Sequence, residues 1–354
     1  MEVDDLAELN VGEDLDQLMN LDPRGYGVCR ILYRGTRAYM GEPVAMKCAK
    51  ALNSTIHKGD IVYIITGFVL MPHKHGEMDG IIGAMLLARM LVKAYDAKPI
   101  IICPKECNYA VEKLADVVGL HLYEKATQIK SMPIVVGRIT YTKDSNLAEE
   151  QAEKIMKKLP PKAVIAIEAP GANSKGVYHS AKGHDLTKLE AKTDVLFGKC
   201  KGAGILNIAI GDLGNELGMG AIKEHLQKCI PYMEKGGCSC GCGGGGASEV
   251  AADYIITATI SHWGVEALIA AVAWLHKKPE WIHSKEMEIE AIKMASNCGM
   301  VDMYGWLEYA IDGINLEFHV NLLELMRLCV VNAIGHFESC KEWYDRVIEK
   351  NYSV

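Results

Sequence analysis

The sequence predicts an α/β protein: a mostly parallel sheet flanked by helices, with a mainly helical C-terminal part and a small β-hairpin. Three observations predict it. Short β-branched runs recur along the chain, longer helical patterns fill the intervals between them, and the runs are apolar throughout rather than alternating, as expected of strands buried on both faces. Taken in order, "DIVYIIT" (Asp60–Thr66), "KPIIIC" (Lys98–Cys103), "PIVVG" (Pro133–Gly137), "AVIAIEA" (Ala163–Ala169), "GILNIAIG" (Gly204–Gly211) and "DYIITATIS" (Asp253–Ser261) read as strands. The intervals hold helix candidates at Asp79–Tyr95, Asn108–Gly119, Asn146–Leu159, Asn215–Cys229 and Trp263–Lys278. Alternation of this kind points to βαβ units, whose ligands bind beyond the carboxyl ends of the strands.

Around that pattern the chain divides into three stretches. Residues 1–56 read as an N-terminal helical segment packing on the core, and residues 57–280 as the α/β catalytic core. Residues 281–354 read as a mainly helical region of the same domain, with "AIDGINLEFH" (Ala310–His319) as a hairpin around its Asp-Gly turn. No internal repeat is visible, and the Cys/Gly-rich loop at 235–247 is the one low-complexity stretch.

Composition narrows the function. The 354 residues are 49% hydrophobic and 23% charged, with a net charge of −7, which suits a globular chain and gives a polyphosphate backbone no basic face to bind. We therefore expect no nucleic-acid partner. The longest apolar runs, such as "VEALIAAVAWL" (Val265–Leu275), read as too short to cross a bilayer, and the acidic start "MEVDDLAELNVGEDLD" is unlike a transit peptide. The expectation is a cytoplasmic protein without a membrane partner; assembly as a homo-oligomer is left open.

Of the 12 cysteines, Cys29, Cys48, Cys103, Cys107, Cys200, Cys229, Cys298, Cys329 and Cys340 stand singly and read as small apolar residues. Cys238, Cys240 and Cys242 crowd into "CSCGCGGGG". Alternate thiolates can chelate a soft metal, but no second pair or histidine at zinc-finger spacing accompanies them, so this stretch reads foremost as a glycine-rich loop and only secondarily as a metal or redox element.

Polar residues gather where the strands end. The first strand leads into "TGFVLMPHKHGEMDGIIGA" (Thr66–Ala84), which supplies Thr66, Gly67, Glu77, Asp79 and Gly80. Here Asp79 reads equally as a helix cap, and His73 and His75 as inert loop residues. The fourth ends in "IEAPGANSKGVYHSAKGHDLT" (Ile167–Thr187), where Glu168 terminates an apolar run and Asn173, Tyr178, His179 and Asp185 follow in a turn-rich loop. A carboxylate there is costly unless paired or functional. The fifth ends in "GDLGNELGMG" (Gly211–Gly220), with Asp212 at the strand's end and Asn215 and Glu216 at the start of the next helix. It lacks Gly-Lys-Ser/Thr and the dinucleotide glycine spacing, and its acids would repel phosphate. An ammonium-bearing ligand or a divalent cation suits it better. The sixth ends in "ISHWGVEAL" (Ile260–Leu268), bringing Ser261, His262, Trp263 and Gly264. Together these ends describe one converging small-molecule site.

On these residues the chain resembles the D-glutamate cyclase family. That family's C-terminal catalytic domain carries an E-T-D-G-P-P-G-A motif, an acidic strand end followed by a G-x-Y-Y-N-type loop, a G-D-G-G-N-E-x-G-M-G loop and an S-N-W-G motif. Their counterparts here are "EMDGIIGA" (Glu77–Ala84), "IEAPGANSKGVYHSAKGHDL" (Ile167–Leu186), "GDLGNELGMG" and "SHWG" (Ser261–Gly264), in the same order, within a similarity covering about residues 20 to 330. Met78, Ile81 and Ile82 replace the threonine and prolines, Leu213 a glycine, His179 and Ser180 the Tyr and Asn, and His262 an asparagine; "CSCGCGGGG" has no counterpart.

The resemblance implies conversion of D-glutamate to 5-oxo-D-proline and water, with an amino acid as small-molecule substrate. Glu168 or Asp212 would bind the ammonium and take its proton, and Glu77 or Asp79 would serve as acid for the departing oxygen. Helix N-termini near Gly80 and Gly264, with Asn215, would hold the carboxylates, and Thr66, Gly67, Asn173, Tyr178, Glu216, Ser261 and Trp263 would complete the substrate shell. Two alternatives stand beside it. One is a metal-dependent hydrolase or isomerase holding Mg or Mn on Asp79, Asp212 and Glu216. The other is a non-catalytic ligand- or metal-binding protein using Cys238, Cys240 and Cys242.

Overall fold

The computed structural model describes residues 3–337 and 341–350; Cys340 and the chain's last four residues lie outside them. Three helices open the chain, α1 (Val3–Met19), α2 (Val28–Met40) and α3 (Val44–Thr55). The sheet then begins with β1 (Ile61–Thr66), followed by a two-residue ladder of β2 (Val69–Leu70) and β3 (His75–Gly76), then α4 (Ile81–Tyr95), β4 (Lys98–Cys103), α5 (Asn108–Val118), β5 (His121–Tyr123), α6 (Ala126–Ser131) and β6 (Val135–Thr140). The second half runs α7 (Ser145–Lys158), β7 (Pro161–Ile167), α8 (Thr193–Gly202), β8 (Leu206–Gly211), α9 (Lys223–Cys229), β9 (Tyr254–Thr257) and α10 (Ser261–Leu275). It closes with α11 (Lys285–Asn297), the hairpin β10 (Ala310–Ile311) and β11 (Ile314–Asn315), α12 (Leu316–His336) and α13 (Lys341–Glu349).

Seven strands form one all-parallel sheet in the order β5-β6-β4-β1-β7-β8-β9. The central β1 pairs Ile64 with Ile101 of β4 on one side and with Ile165 of β7 on the other. Every residue of β1 and β4 is buried, which explains why these strands read as continuous rather than alternating apolar runs. From β1 the chain crosses by α4 to β4 on one flank, whereas from β7 it crosses by α8 to β8 on the other. The strand order therefore reverses between β1 and β7, and a crevice opens at their carboxyl ends. The helix α10, buried from Ser261 to Trp274, packs against α1, α3, α4 and α12. One hydrophobic core thus runs from Ala7 in α1 to Val330 in α12.

Several sequence expectations are corrected. Asn215 and Glu216 do not start a helix: the chain stays irregular to Gly220, because Gly214 and Gly218 take φ of 98° and 97°, and regular helix begins at Lys223. The third predicted strand lies at Val135–Thr140, after Ile134 turns through φ 50°, and the sixth ends at Thr257 so that Ser261 already opens α10. The edge strand β5 passed unnoticed because its three residues are half-exposed or exposed. The hairpin formed as expected, with Asp312 and Gly313 at φ 54° and 73°, but it ends at Asn315. The reading that apolar runs are too short to cross a bilayer fails for α12, whose 21 residues reach the length and hydropathy of a span. Glu324 and Arg327, paired at 2.6 Å, mask this in the sequence, and Leu322, Leu323, Met326 and Val330 are buried in the fold.

Candidate active site

The crevice at the reversal point is floored by acids. Glu168 follows β7 directly, and its backbone is pulled into the left-handed region at φ 41°, an uncommon state for a residue with a side chain. It is held there because its N–H donates to Ile210 O (3.1 Å) while its carbonyl accepts from Gly67 (3.1 Å), tying the ends of β1, β7 and β8 together. Gly80 lies against it. A Cβ at Gly80 would stand 2.6 Å from the Glu168 Cβ and 2.7 Å from Thr66 Oγ1, and its φ is 82°, so only glycine fits. Ser261 Oγ donates to Glu168 Oε2 at 2.6 Å.

Asp79 serves the fold first. Its two oxygens accept from the N–H groups of Gly80 (2.7 Å), His262 (2.8 Å) and Ser261 (2.9 Å), so it caps α10 from a segment nearly two hundred residues away in sequence. Glu216 is likewise absorbed: its carboxylate accepts from the N–H groups of Asp212 (3.3 Å), Leu213 (2.8 Å) and Gly214 (2.7 Å), and so holds the Gly211–Gly220 loop closed. Asp212 differs from both. It is 2% exposed, and no N–H or hydroxyl donor reaches its carboxyl, which has the Asp312 carboxyl within hydrogen-bond reach. Glu77 is also buried and turns into the pocket.

A sixth acid has no mark in the sequence. Asp312, in the β10–β11 turn, brings a carboxylate oxygen to within 4.8 Å of those of Asp79 and Asp212, and Glu168, Asp212 and Glu216 form a second such trio. The Arg24 guanidinium meets this group, pairing with Asp312 at 3.2 Å and donating to Thr259 O at 2.6 Å. Its signal in the sequence, "DPRGYG", reads as a turn. Burial pushes the carboxyls of Glu77, Glu168 and Asp212 well above the ordinary range, and repulsion from Asp312 and Asp79 on Glu77, from Glu216 and Asp79 on Glu168, and from Glu168 and Asp312 on Asp212 adds to it. Burial and Asp312 bring Asp79 up to about 7 against its backbone donors. A cluster of this kind shares protons and attracts a cation.

A pocket of about 370 Å³ opens onto two of these acids, Glu77 and Glu168. Glu77, Glu168, Leu213 and Asn215 line its base, Phe68 and Leu70 one wall, and Ser180, Lys182, His184 and Asp185 its rim. Thr66 Oγ1 and Asn215 Oδ1 are buried nearby without partners, while Asn215 Nδ2 donates to His179 O (3.0 Å). Other candidates from the sequence lie elsewhere. Trp263 is fully buried, donates to His319 Nδ1 (2.9 Å) and stacks on Phe318. Gly264 faces Ile210 and Ile256 beneath α10, its N–H held by Ile260 O. Tyr178 donates to Asp194 (2.5 Å), and Asn173 donates to Gly245 O (2.7 Å). His73 and His75 line a separate, shallow cavity with Tyr304, Trp306 and Leu307.

The order of these elements has a counterpart among known proteins. The family described as D-glutamate cyclase-like, C-terminal, matches residues 15–327, which includes every strand of the sheet and every acid of the crevice. The chain belongs to the D-glutamate cyclase-like family. Within its reach, the human mitochondrial D-glutamate cyclase is 27% identical over 271 residues, a stretch that covers 74% of this chain and 39% of that protein. The chain thus corresponds to well under half of that relative's length. The family resemblance drawn from the four strand-end motifs holds, and the motifs fall on the crevice as a set: Glu77–Ala84 after β1, Glu168 after β7, Gly211–Gly220 after β8 and Ser261–Gly264 at the start of α10.

Proposed function

We propose that this crevice closes D-glutamate to 5-oxo-D-proline, releasing water. The observation that carries the reading is the buried Asp212 carboxyl, which no N–H or hydroxyl donor reaches, among acids whose protons are held tightly, two of which, Glu77 and Glu168, line a pocket of about 370 Å³. An α-ammonium is the cation such a site accepts. Its charge favours the ionised forms of Asp212 and Glu168, which burial and their neighbours keep protonated in the empty site; the carboxylate so formed pairs with the ammonium and then takes a proton from it, so that the nitrogen lone pair is free to attack the γ-carboxyl carbon. Glu77, kept protonated by burial and by Asp312, supplies a proton to the γ-carboxyl, because a carboxylate anion is a poor electrophile. The C–N bond forms, one C–O bond breaks, and the oxygen leaves as water; the two protons lost by the ammonium equal the two it gains. Asp79, its oxygens engaged by three backbone donors, positions Ser261 rather than acting as the acid.

Lys182 at the rim holds a substrate carboxylate, since the N–H groups of Gly80, Ser261 and His262 are already taken by Asp79, while the partnerless Asn215 Oδ1 accepts from the ammonium. Holding both ends in a ring-like pose removes an entropic barrier that in such reactions is worth about 7–11 kcal/mol. The test is incubation with D-glutamate, L-glutamate and 5-oxo-D-proline, following ring closure and opening by chromatography. Formation of 5-oxo-D-proline from the D-isomer is expected, and no reaction in either direction would remove the proposal.

The Asp79–Asp212–Asp312 trio favours a second reading, in which Mg or Mn sits among their oxygens. Turnover that survives exhaustive chelation excludes it; turnover lost on chelation and restored by the metal alone supports it.

A further inference from the structure

We propose a zinc site formed by His179, Cys238, Cys240 and Cys242. Among the described residues these four bring one ligand atom each to within 4.8 Å of one another. The His179 Nε2 lies 3.1 Å from Cys240 Sγ and 3.8 Å from Cys242 Sγ, and Cys238 Sγ lies 3.5 Å from Cys242 Sγ and 3.6 Å from Cys240 Sγ. A tetrahedral zinc with bonds of about 2.3 Å to sulfur and about 2.0 Å to nitrogen sets sulfurs about 3.8 Å apart and nitrogen about 3.5 Å from sulfur. The four atoms therefore already stand near the corners that one zinc ion requires. They are too far apart for a covalent sulfur–sulfur bond of about 2.05 Å.

The chain is shaped to make this corner. Three thiols at alternate positions converge only if the backbone curls, and Gly241, Gly243 and Gly245 all take φ near 77° to do so. Asn173 Nδ2 donates to Cys242 Sγ at 3.3 Å and the Gly244 N–H at 3.4 Å, the kind of outer contact that orients a metal-binding sulfur. Zinc-finger spacing fails to reveal the site because its histidine arrives from another loop, about sixty residues earlier. Four protein ligands and no open position mark a structural ion rather than a catalytic one.

Its consequence reaches the pocket. His179 begins the segment whose next residues, Ser180 to Leu186, form the pocket rim, and its carbonyl accepts from Asn215 at the base. Ser239, between two of the cysteines, bonds Gly183 through both its N–H (3.1 Å) and its Oγ (2.9 Å). The ion would pin the rim loop to the Cys/Gly loop.

The experiment is elemental analysis of full-length protein purified under reducing conditions from zinc-supplemented cells, with C229S, at an exposed cysteine outside the cluster, as control and C240S as the site variant. One zinc per chain is expected in the wild type and C229S, with most of it lost in C240S. Cobalt loading of the wild type should give tetrahedral thiolate bands, and zinc should slow alkylation of Cys240, which is exposed. Should C240S fail to fold, the wild-type cobalt spectrum and alkylation protection decide alone. Wild-type protein that holds no stoichiometric zinc, gives no tetrahedral cobalt spectrum and alkylates equally fast with or without zinc would overturn the proposal, as would a Cys238–Cys242 disulfide found in the reduced protein by mass spectrometry.

Discussion

Asp212 is a buried carboxyl that no N–H or hydroxyl donor reaches and that has the Asp312 carboxyl within hydrogen-bond reach, and it is the residue on which the proposed reaction depends. Replacing it with asparagine keeps the shape and removes the group that titrates. D212N is expected to lose turnover by at least about 100-fold, the usual contribution of a positioned acid or base. The same variant is expected to gain about 1 kcal/mol or more of stability from relieved repulsion, measured by urea unfolding. Loss of activity together with loss of stability would argue for a packing role instead. Protonation gives an independent check. Asp79 is raised to about 7, and Glu77, Glu168 and Asp212 move the same way, so from about pH 4 to pH 7 the folded protein holds protons that the unfolded chain has released. Their favourable contribution is complete below about pH 4 and is lost as pH rises through that window, with a slope of about 1.4 kcal/mol per pH unit for each proton so held. Denaturation midpoints across this range should show that slope, and D212N should flatten it. Gly80→Ala meets both positive φ and the Glu168 Cβ, and is expected to cost about 1–3 kcal/mol.

Helices are tied here by side chains from distant segments, and two aspartates do the same task. Asp79 caps α10, and Asp16 of α1 caps α3 by accepting from Val44 (2.7 Å) and Ala45 (3.1 Å), with Tyr33 donating to it as well (2.9 Å). Asp16→Ala is expected to cost about 2 kcal/mol by thermal unfolding, because it removes the cap from buried donors. A third tie joins α10 to α11: His262 Nε2 bonds Glu288 Oε1 at 2.7 Å, and His283 Nε2 bonds Glu288 Oε2 at 2.8 Å. Burial alone would lower the His262 imidazole, but Glu288 and Glu266 raise it well above its usual value. Burial would raise Glu288, yet His262 and His283 hold it below the carboxylate range. The His262 contribution is fully present below about pH 6.5 and is lost as pH rises through its elevated value, while that of Glu288 is present above about pH 4.5 and is lost in acid. E288Q leaves the buried His262 imidazolium to Glu266 alone, 3.5 Å away, and is expected to cost about 3 kcal/mol at neutral pH, with its stability less sensitive to alkali than that of the wild type.

The whole molecule shares one hydrophobic core, to which the first three helices and α10–α12 contribute alike. Unfolding is therefore expected as a single transition, with far-ultraviolet circular dichroism and the fluorescence of the buried Trp263 and Trp274 giving coincident curves. An earlier, separate loss of helix signal would show that residues 1–56 unfold on their own. If D-glutamate is the ligand, as proposed, then at about 100 times its dissociation constant it stabilises that one transition by about 2.7 kcal/mol, and no shift at saturating concentration would count against the proposed reaction.

The sequence by itself determined the class of fold and the positions of the acids. Parallel strands buried on both faces must be apolar end to end, so β1, β4, β7 and β8 announce themselves, and a charged residue that ends such a run stands out, as Glu168 and Asp212 do. Features set by the backbone's curl or by contacts across the chain left no such mark. Glycines released Gly211–Gly220 from the helix that its spacing suggested, and the half-exposed β5 had no apolar run to betray it. Tertiary structure alone decided that Glu216 and Asp79 commit their oxygens to backbone donors while no such donor reaches Asp212, since hydrogen-bond partners are chosen by proximity in space. It alone brought Asp312 and Arg24 to the crevice and His179 to the three cysteines, because a side chain's chemistry is legible in one dimension and its neighbours are not.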